Sequence, residues 1–198
     1  MKIDHSKPLE YSTEHNRFSI LGFWIFLGAE IMLFGTLFAS YFVLVDNTGT
    51  GPTGAEIFEI TPILMETVLL LSSSFTIGLG IHAMRIGKIK AMITFFAITL
   101  FLGLGFLGYE IYDFLVYIHE GASLQTSGFT AILFLTLGTH GAHVTFGLFW
   151  GIVIITQIIK RGINPETANK SFIFSLYWHF LDVVWIFIFS FIFLKGMM

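Results

Sequence analysis

Tyr177-Trp178-His179-Phe180-Leu181-Asp182-Val183-Val184-Trp185 lies inside the apolar run Phe172–Leu194. A run of that length reads as a helix crossing a bilayer. His179 and Asp182 stand three residues apart, which places them on one helix face about 5–6 Å from each other. An ionisable group at mid-bilayer costs roughly 2.5–3.5 kcal/mol on insertion scales, so it is kept where it faces protein or water and has a partner. The stretch therefore predicts a helix packed inside a membrane bundle. Either Asp182 orients the His179 imidazole, or each of the two pairs with another helix. A structural polar tie is favoured over a proton relay.

The rest of the chain agrees. Of its 198 residues 55% are hydrophobic and 12% charged, with mean hydropathy +0.82. A globular domain carries about 25% charged residues, so the class is a polytopic membrane protein. The net charge of −3 argues against nucleic-acid binding. The absence of cysteine removes disulfides, iron–sulfur clusters and thiolate-held copper. No cleavable signal peptide is expected, because the first apolar run is too long for a signal core.

Five spans are predicted: Phe18–Val45, Pro62–Met84, Ala91–Ile118, Phe129–Ile159 and Phe172–Leu194. The fold class is an all-α, five-helix membrane protein, with residues 1–17 as a polar N-terminal segment and 18–198 as the transmembrane domain. Thr61-Pro62 reads as the start of the second span, and Asn164-Pro165-Glu166 as a turn or helix start. Nine of the ten Lys and Arg fall on one side of this layout, Lys195 being the exception. The positive-inside rule then places the N-terminus in the cytoplasm and the C-terminus outside. The pairs Gly35/Ala39, Ser74/Gly78, Gly138/Ala142 and Gly147/Gly151 have the spacing of close helix contacts, against a background in which small residues are common. The aromatic residues, 24 Phe among them, read mainly as lipid-facing and packing surface, with Tyr41, Tyr109, Tyr112, Tyr117, Tyr177 and Trp178 near span ends.

Few ionisable residues fall within the spans. Glu30 lies mid-way along the first, at a depth nearer His179 and Asp182 than the others. Glu66 and His82 lie near opposite ends of the second, and Glu110 and Asp113 late in the third. His140 and His143 share a face early in the fourth, within reach of Glu110 and Asp113. His140, His143 and Glu110 have the types for a metal site. The repeated Glu-x-x-His pairs of a di-metal bundle are missing, so hydrogen bonds between helices are the favoured role. Haem ligation by a histidine is disfavoured, since Trp178, Phe180 and Trp185 crowd the last helix. Glu30 has no basic neighbour on its own helix. Proton exchange, contact with a lipid headgroup or water chain, and a plain hydrogen bond across a helix contact all remain open for it.

Four stretches carry a resemblance: Phe23-Trp24-Ile25-Phe26-Leu27-Gly28-Ala29-Glu30, Leu107-Gly108-Tyr109-Glu110-Ile111-Tyr112, Gly138-Thr139-His140-Gly141-Ala142-His143-Val144, and the opening run Tyr177–Trp185. With the five-span layout, the chain resembles subunit III of the haem-copper respiratory oxidases over nearly its whole length. Many members have seven spans. This chain lacks the first two, as quinol-oxidising bacterial members often do, and it looks most like a menaquinol type from Gram-positive bacteria. The resemblance implies a subunit without haem, copper or quinone, in a bacterial plasma membrane. It would pack on the catalytic subunit I, which holds the haems and copper, alongside subunits II and IV and bound phospholipid. It would stabilise subunit I in turnover, with a part in proton uptake. The resemblance also matches Glu30 to the family's buried glutamate near bound lipid. No catalytic, cofactor or metal residue is expected in the chain itself. The alternatives are subunit III of a cytochrome c oxidase and, more remotely, an independent proton channel or transporter, or a membrane metalloenzyme using His140, His143 and Glu110.

Overall fold

The computed structural model describes residues 7–197, and among these there is no strand. A 3-10 turn, Leu9–Tyr11, precedes α1 (Glu14–Leu44). A one-turn helix, α2 (Gly54–Ile57), leads into α3 (Ile60–Arg85), then α4 (Ile89–His119), α5 (Gly128–Arg161) and α6 (Pro165–Ile188). α6 runs on as a π-helical segment, Phe189–Leu194. Five of these helices, α1, α3, α4, α5 and α6 with its extension, are long and apolar enough to cross a membrane.

Each spanning helix outruns its apolar stretch because its caps lie in the polar flanks. Thr13 caps α1 by accepting from the Asn16 backbone N–H. Ser127 and Thr130 close a reciprocal box at the start of α5. Asn164 caps α6 by accepting from the N–H groups of Glu166 and Thr167, with Pro165 in the first turn, so the ambiguous Asn164-Pro165-Glu166 is a helix start. α3 begins before the expected Thr61 cap, with Glu59 in the cap position. Pro62 is accommodated because first-turn N–H groups have no partner in the helix. Gly87, Gly121 and Gly162 follow the ends of α3, α4 and α5 with φ of 73°, 88° and 69°. That left-handed geometry lets the chain reverse where a side chain would be strained.

α6 is the hub. Its most apolar window is 56% buried, against 17% for α1. α3 and α4 form a tight hairpin, α5 closes on α4 and α6, and α1 lies outside against α5 and α6. The surface left over is apolar, with Ile25, Met32, Val43 and Phe101 turned outward, as lipid requires.

Close approach depends on particular glycines. A Cβ on Gly151 would stand 2.5 Å from Leu100 Cδ2 and 2.8 Å from Phe174 Cζ, and one on Gly103 would stand 2.8 Å from the Trp178 ring. Of the four small-residue spacings, Gly147/Gly151 is a packed face. Gly35/Ala39 and Gly138/Ala142 face outward, and Gly78 has nothing near it. Gly151→Ala is expected to cost about 1–3 kcal/mol through overpacking. The readout is a lower melting temperature of the purified protein in detergent, with Gly35→Ala as the silent control.

The two ends of the bundle differ. At the basic end, Arg85 closes on Glu10 and Asn16 donates to the Pro165 carbonyl at 2.9 Å. Asn169 donates to the carbonyls of Glu10 and Asn16 at 3.2 and 3.1 Å. These bonds sew the polar segment before α1 onto the ends of α3 and α6. Burial and the nearby Glu10 carboxylate push the Tyr11 phenol above its ordinary range, and Arg85 pulls it back. At the far end, Phe129 N–H donates to Asn47 O at 3.0 Å, and Phe58 packs on Tyr117 and Phe193. There Tyr41 donates to the Ile192 carbonyl within the π-helical segment at 3.3 Å.

Candidate functional site

The opening run works as a set of ties from α6 to its neighbours. Tyr177 donates to the His143 carbonyl on α5 at 2.9 Å. Trp178 Nε1 donates to Ser73 Oγ at 2.8 Å, and Trp185 Nε1 to Thr67 Oγ1 at 3.0 Å, both on α3. His179 Nδ1 pairs with Ser74 Oγ at 2.6 Å. Asp182 lies on the same side toward Ser74, but neither of its carboxyl oxygens makes a hydrogen bond. The two ionisable residues therefore turn to α3 and not to each other. Four aromatics expected near the membrane surfaces are core instead: Tyr41, Tyr117, Tyr177 and Trp178 are buried, while Tyr109 and Tyr112 are exposed. Their polar tips find hydrogen-bond partners inside, as at Tyr41, Tyr177 and Trp178.

Glu30 is the other point of contact. Its Oε2 stands 3.1 Å from His143 Nε2, joining α1 to α5. By depth along the spans Glu30 falls nearer His179 and Asp182 than the other ionisable residues. Counted from the basic ends of their helices, all of these lie at similar depth, so the direction each side chain takes around its helix decides the pairing. His143 Nδ1 lies 2.7 Å from the Thr139 carbonyl, which can only accept, so Nδ1 carries the hydrogen. Nε2 is then the ring nitrogen that faces the Glu30 carboxyl. The pair lies at a half-open edge: the His143 side chain is 20% exposed and that of Glu30 14%. Two apolar depressions meet at His143. One of about 490 Å³ runs along Phe114, Phe134 and Leu135, and one of about 250 Å³ along Phe26, Phe146 and Tyr177. This shape suits hydrocarbon chains beside a single polar spot.

His140, three residues earlier, has a different environment. It is fully buried, with Phe34, Phe106 and Trp185 ring centres 6.4, 5.7 and 5.5 Å away, and both its ring nitrogens lack hydrogen bonds. Rings on three sides leave no open approach for a haem. Glu110 does come to α5, where its Oε2 would lie 2.6 Å from a Cβ on Gly141, and both its oxygens are unpaired. No three His, Asp or Glu side chains among the described residues converge as a metal site requires. Asp113 and Glu66 are also buried, each with an unpaired carboxyl oxygen. The sequence singles out Ser74 only as a small residue in a helix contact and gives no sign of the hydroxyl partners Thr67 and Ser73, because a serine or threonine in a membrane helix bonds its own backbone as readily as a neighbour.

Residues 10–197 match the family described as Cytochrome c oxidase subunit III. The chain belongs to that family. Quinol oxidase subunit 3 of Bacillus spizizenii is 56% identical over 190 residues, covering 96% of this chain and 93% of that protein. Its counterpart in Bacillus subtilis strain 168 is 55% identical over the same coverage. Cytochrome c oxidase subunit 3 of Bacillus sp. strain PS3 is 46% identical, covering 96% of this chain and 92% of that protein. Within this family of oxidase subunits, the chain is a helical member with five helices able to span a membrane.

Proposed function

We propose that this chain is subunit III of a bacterial quinol oxidase that reduces oxygen to water and moves protons outward. The carrying observation is identity above one half, over nearly the full length, to two proteins named quinol oxidase subunit 3. The chain acts as an accessory, without haem, copper or quinone. It braces the catalytic subunit I in the plasma membrane, with subunits II and IV in the same complex. The basic end faces the cytoplasm, in keeping with the gathering there of Arg85, Lys88, Lys90, Lys160, Arg161 and Lys170. The apolar depressions beside Glu30 and His143 hold phospholipid chains, and that pair takes part in proton uptake. The experiment is a comparison of complexes purified with and without this chain. The depleted complex should keep its haem and copper and start at full rate, then lose activity as it turns over. Loss of the metal centres on depletion would overturn the accessory role.

The relative from strain PS3 favours a second reading, in which the donor is cytochrome c. Steady-state rates with menaquinol and with reduced cytochrome c separate the two directly.

Glu30→Gln tests the pair. An amide keeps the size of Glu30 and retains a donor toward His143 Nε2, so the chain should co-purify at the wild-type ratio. Failure to assemble would mean that an ionised Glu30 paired with imidazolium is needed to hold α1.

A further inference from the structure

Three buried carboxyls remain unused by this reading, and they lie together in the far half of the α3–α4–α5 interface. Asp113 and Glu110 are three residues apart on α4 and so share a face. Glu66 comes from α3 and lies close enough to interact electrostatically with both. All three are at least 96% buried, and four of their oxygens have no hydrogen bond: Asp113 Oδ2, Glu66 Oε1 and both of Glu110. A separate feature adjoins one of them. A cavity of about 30 Å³ lies between the start of α3 and the end of α4, lined by Glu59, Pro62, Tyr112, Asp113, Val116 and Tyr117. Roughly 10–15 Å³ of such space holds one water, so there is room for one or two. Asp113 forms part of its wall, and Glu59 is exposed at the surface.

The surroundings restrict what this group can bind. α3 contributes Glu66, the segment before it Glu59, and α4 Glu110, Asp113, Tyr112 and Tyr117. α5 offers Gly141, on which Glu110 rests, and the buried ring of His140. On α6 the level is filled by Trp185, bonded to Thr67. The Lys and Arg of α3, α4 and α5 lie at the basic end, and Lys195 sits over the Phe42 ring on α1, 4.8 Å from its centre. Ionised carboxylates buried without a counter-charge each cost several kcal/mol. A metal would need converging oxygens, and the described residues offer no such group.

We propose that Asp113, Glu66 and Glu110 form a proton-holding carboxyl site that exchanges with water at the far end of the bundle through the Glu59–Tyr117 cavity. Its ligand is the proton. A carboxylate and a hydronium in the cavity give a carboxylic acid and water, one proton moving and no electron. Asp113 is the exchanging group, and Glu66 and Glu110 are the store behind it. The site is distinct from the Glu30–His143 pair and does not depend on which donor the oxidase uses.

Infrared spectroscopy of the intact complex tests this, in H₂O and D₂O across a pH series, with Glu66→Gln, Glu110→Gln and Asp113→Asn scored only where the chain co-purifies at the wild-type ratio. The wild-type complex should show carboxylic-acid C=O bands that shift in D₂O and change with pH. Each Gln variant should lose part of that signal, and Asp113→Asn should slow its exchange several-fold. Glu66→Asp, which keeps the acid, should move a band without abolishing it. If the wild-type bands do not exchange, or if the Gln variants leave the signal intact, the proposal fails. Haem and copper content reports on the accessory role separately.

Discussion

Trp178→Ala should release the chain from its complex well below the wild-type temperature. Trp178 is fully buried and is the side chain against which Gly103 and Gly147 close, with Phe174 beside it at 5.7 Å between ring centres. Truncating a large aromatic in such a core costs about 3–5 kcal/mol, because the surrounding helices collapse only in part. In a bilayer the effect falls on packing itself, since lipid chains are as apolar as the protein interior. Trp178→Phe is the control. It removes the indole N–H from Ser73, yet Ser73 Oγ still donates to the Leu70 carbonyl at 2.6 Å, so no buried group is stranded. Its cost should be a fraction of the alanine value. Differential scanning calorimetry of the complex, with blotting for retained chain, reads both. Equal effects would mean that the hydrogen bond and not the ring body holds α6 to α3.

The second large effect is at the basic end. Glu10 Oε1 accepts from Arg85 Nε at 3.0 Å and Nη2 at 2.7 Å, and Glu10 is fully buried while its Oε2 has no partner. Arg85→Ala leaves that carboxylate without its counter-charge. Removing one member of a buried pair costs about 3–5 kcal/mol. The low end of the range is expected here, since the Arg85 side chain is 49% exposed and water screens part of its charge. Adding Glu10→Gln to Arg85→Ala should recover most of the loss, because the stranded charge is then gone. Additive losses in the double variant would show that the two residues do not act as a pair. Limited proteolysis of the N-terminal segment gives an independent readout, since Asn169 and Asn16 hold the same stretch.

How much of this was legible beforehand differs residue by residue. The run from Tyr177 to Trp185 announced a buried helix because lipid selects against His179 and Asp182 on an outer face. The same run did not disclose that Trp178 and Trp185 bond to Ser73 and Thr67, since hydroxyls in membrane helices carry no pattern of their own. Glu30 was visible as an isolated carboxyl, and its partner His143 was visible as a histidine. Their meeting was not, because several helices carry ionisable groups at nearly one depth. Gly147/Gly151 and Gly35/Ala39 have the same spacing, yet only the first is packed within the chain. The polar residues before Phe18 read as a tail, although Glu10 and Asn16 are as buried as the core.

Composition and hydropathy alone determined that this is a helical membrane protein with five helices long and apolar enough to span. Those properties follow from helix length against bilayer thickness and from where charges are allowed, both of which are local. Family membership was equally local, carried by short runs in fixed order. Tertiary structure decided which face of each helix meets which neighbour: α6 at the hub, Glu30 on His143, Glu10 on Arg85, and Asp113 at the wall of one small cavity. Those outcomes depend on rotation about the helix axes, which hydrophobicity leaves open when lipid and protein interior are equally apolar, and which only close packing resolves.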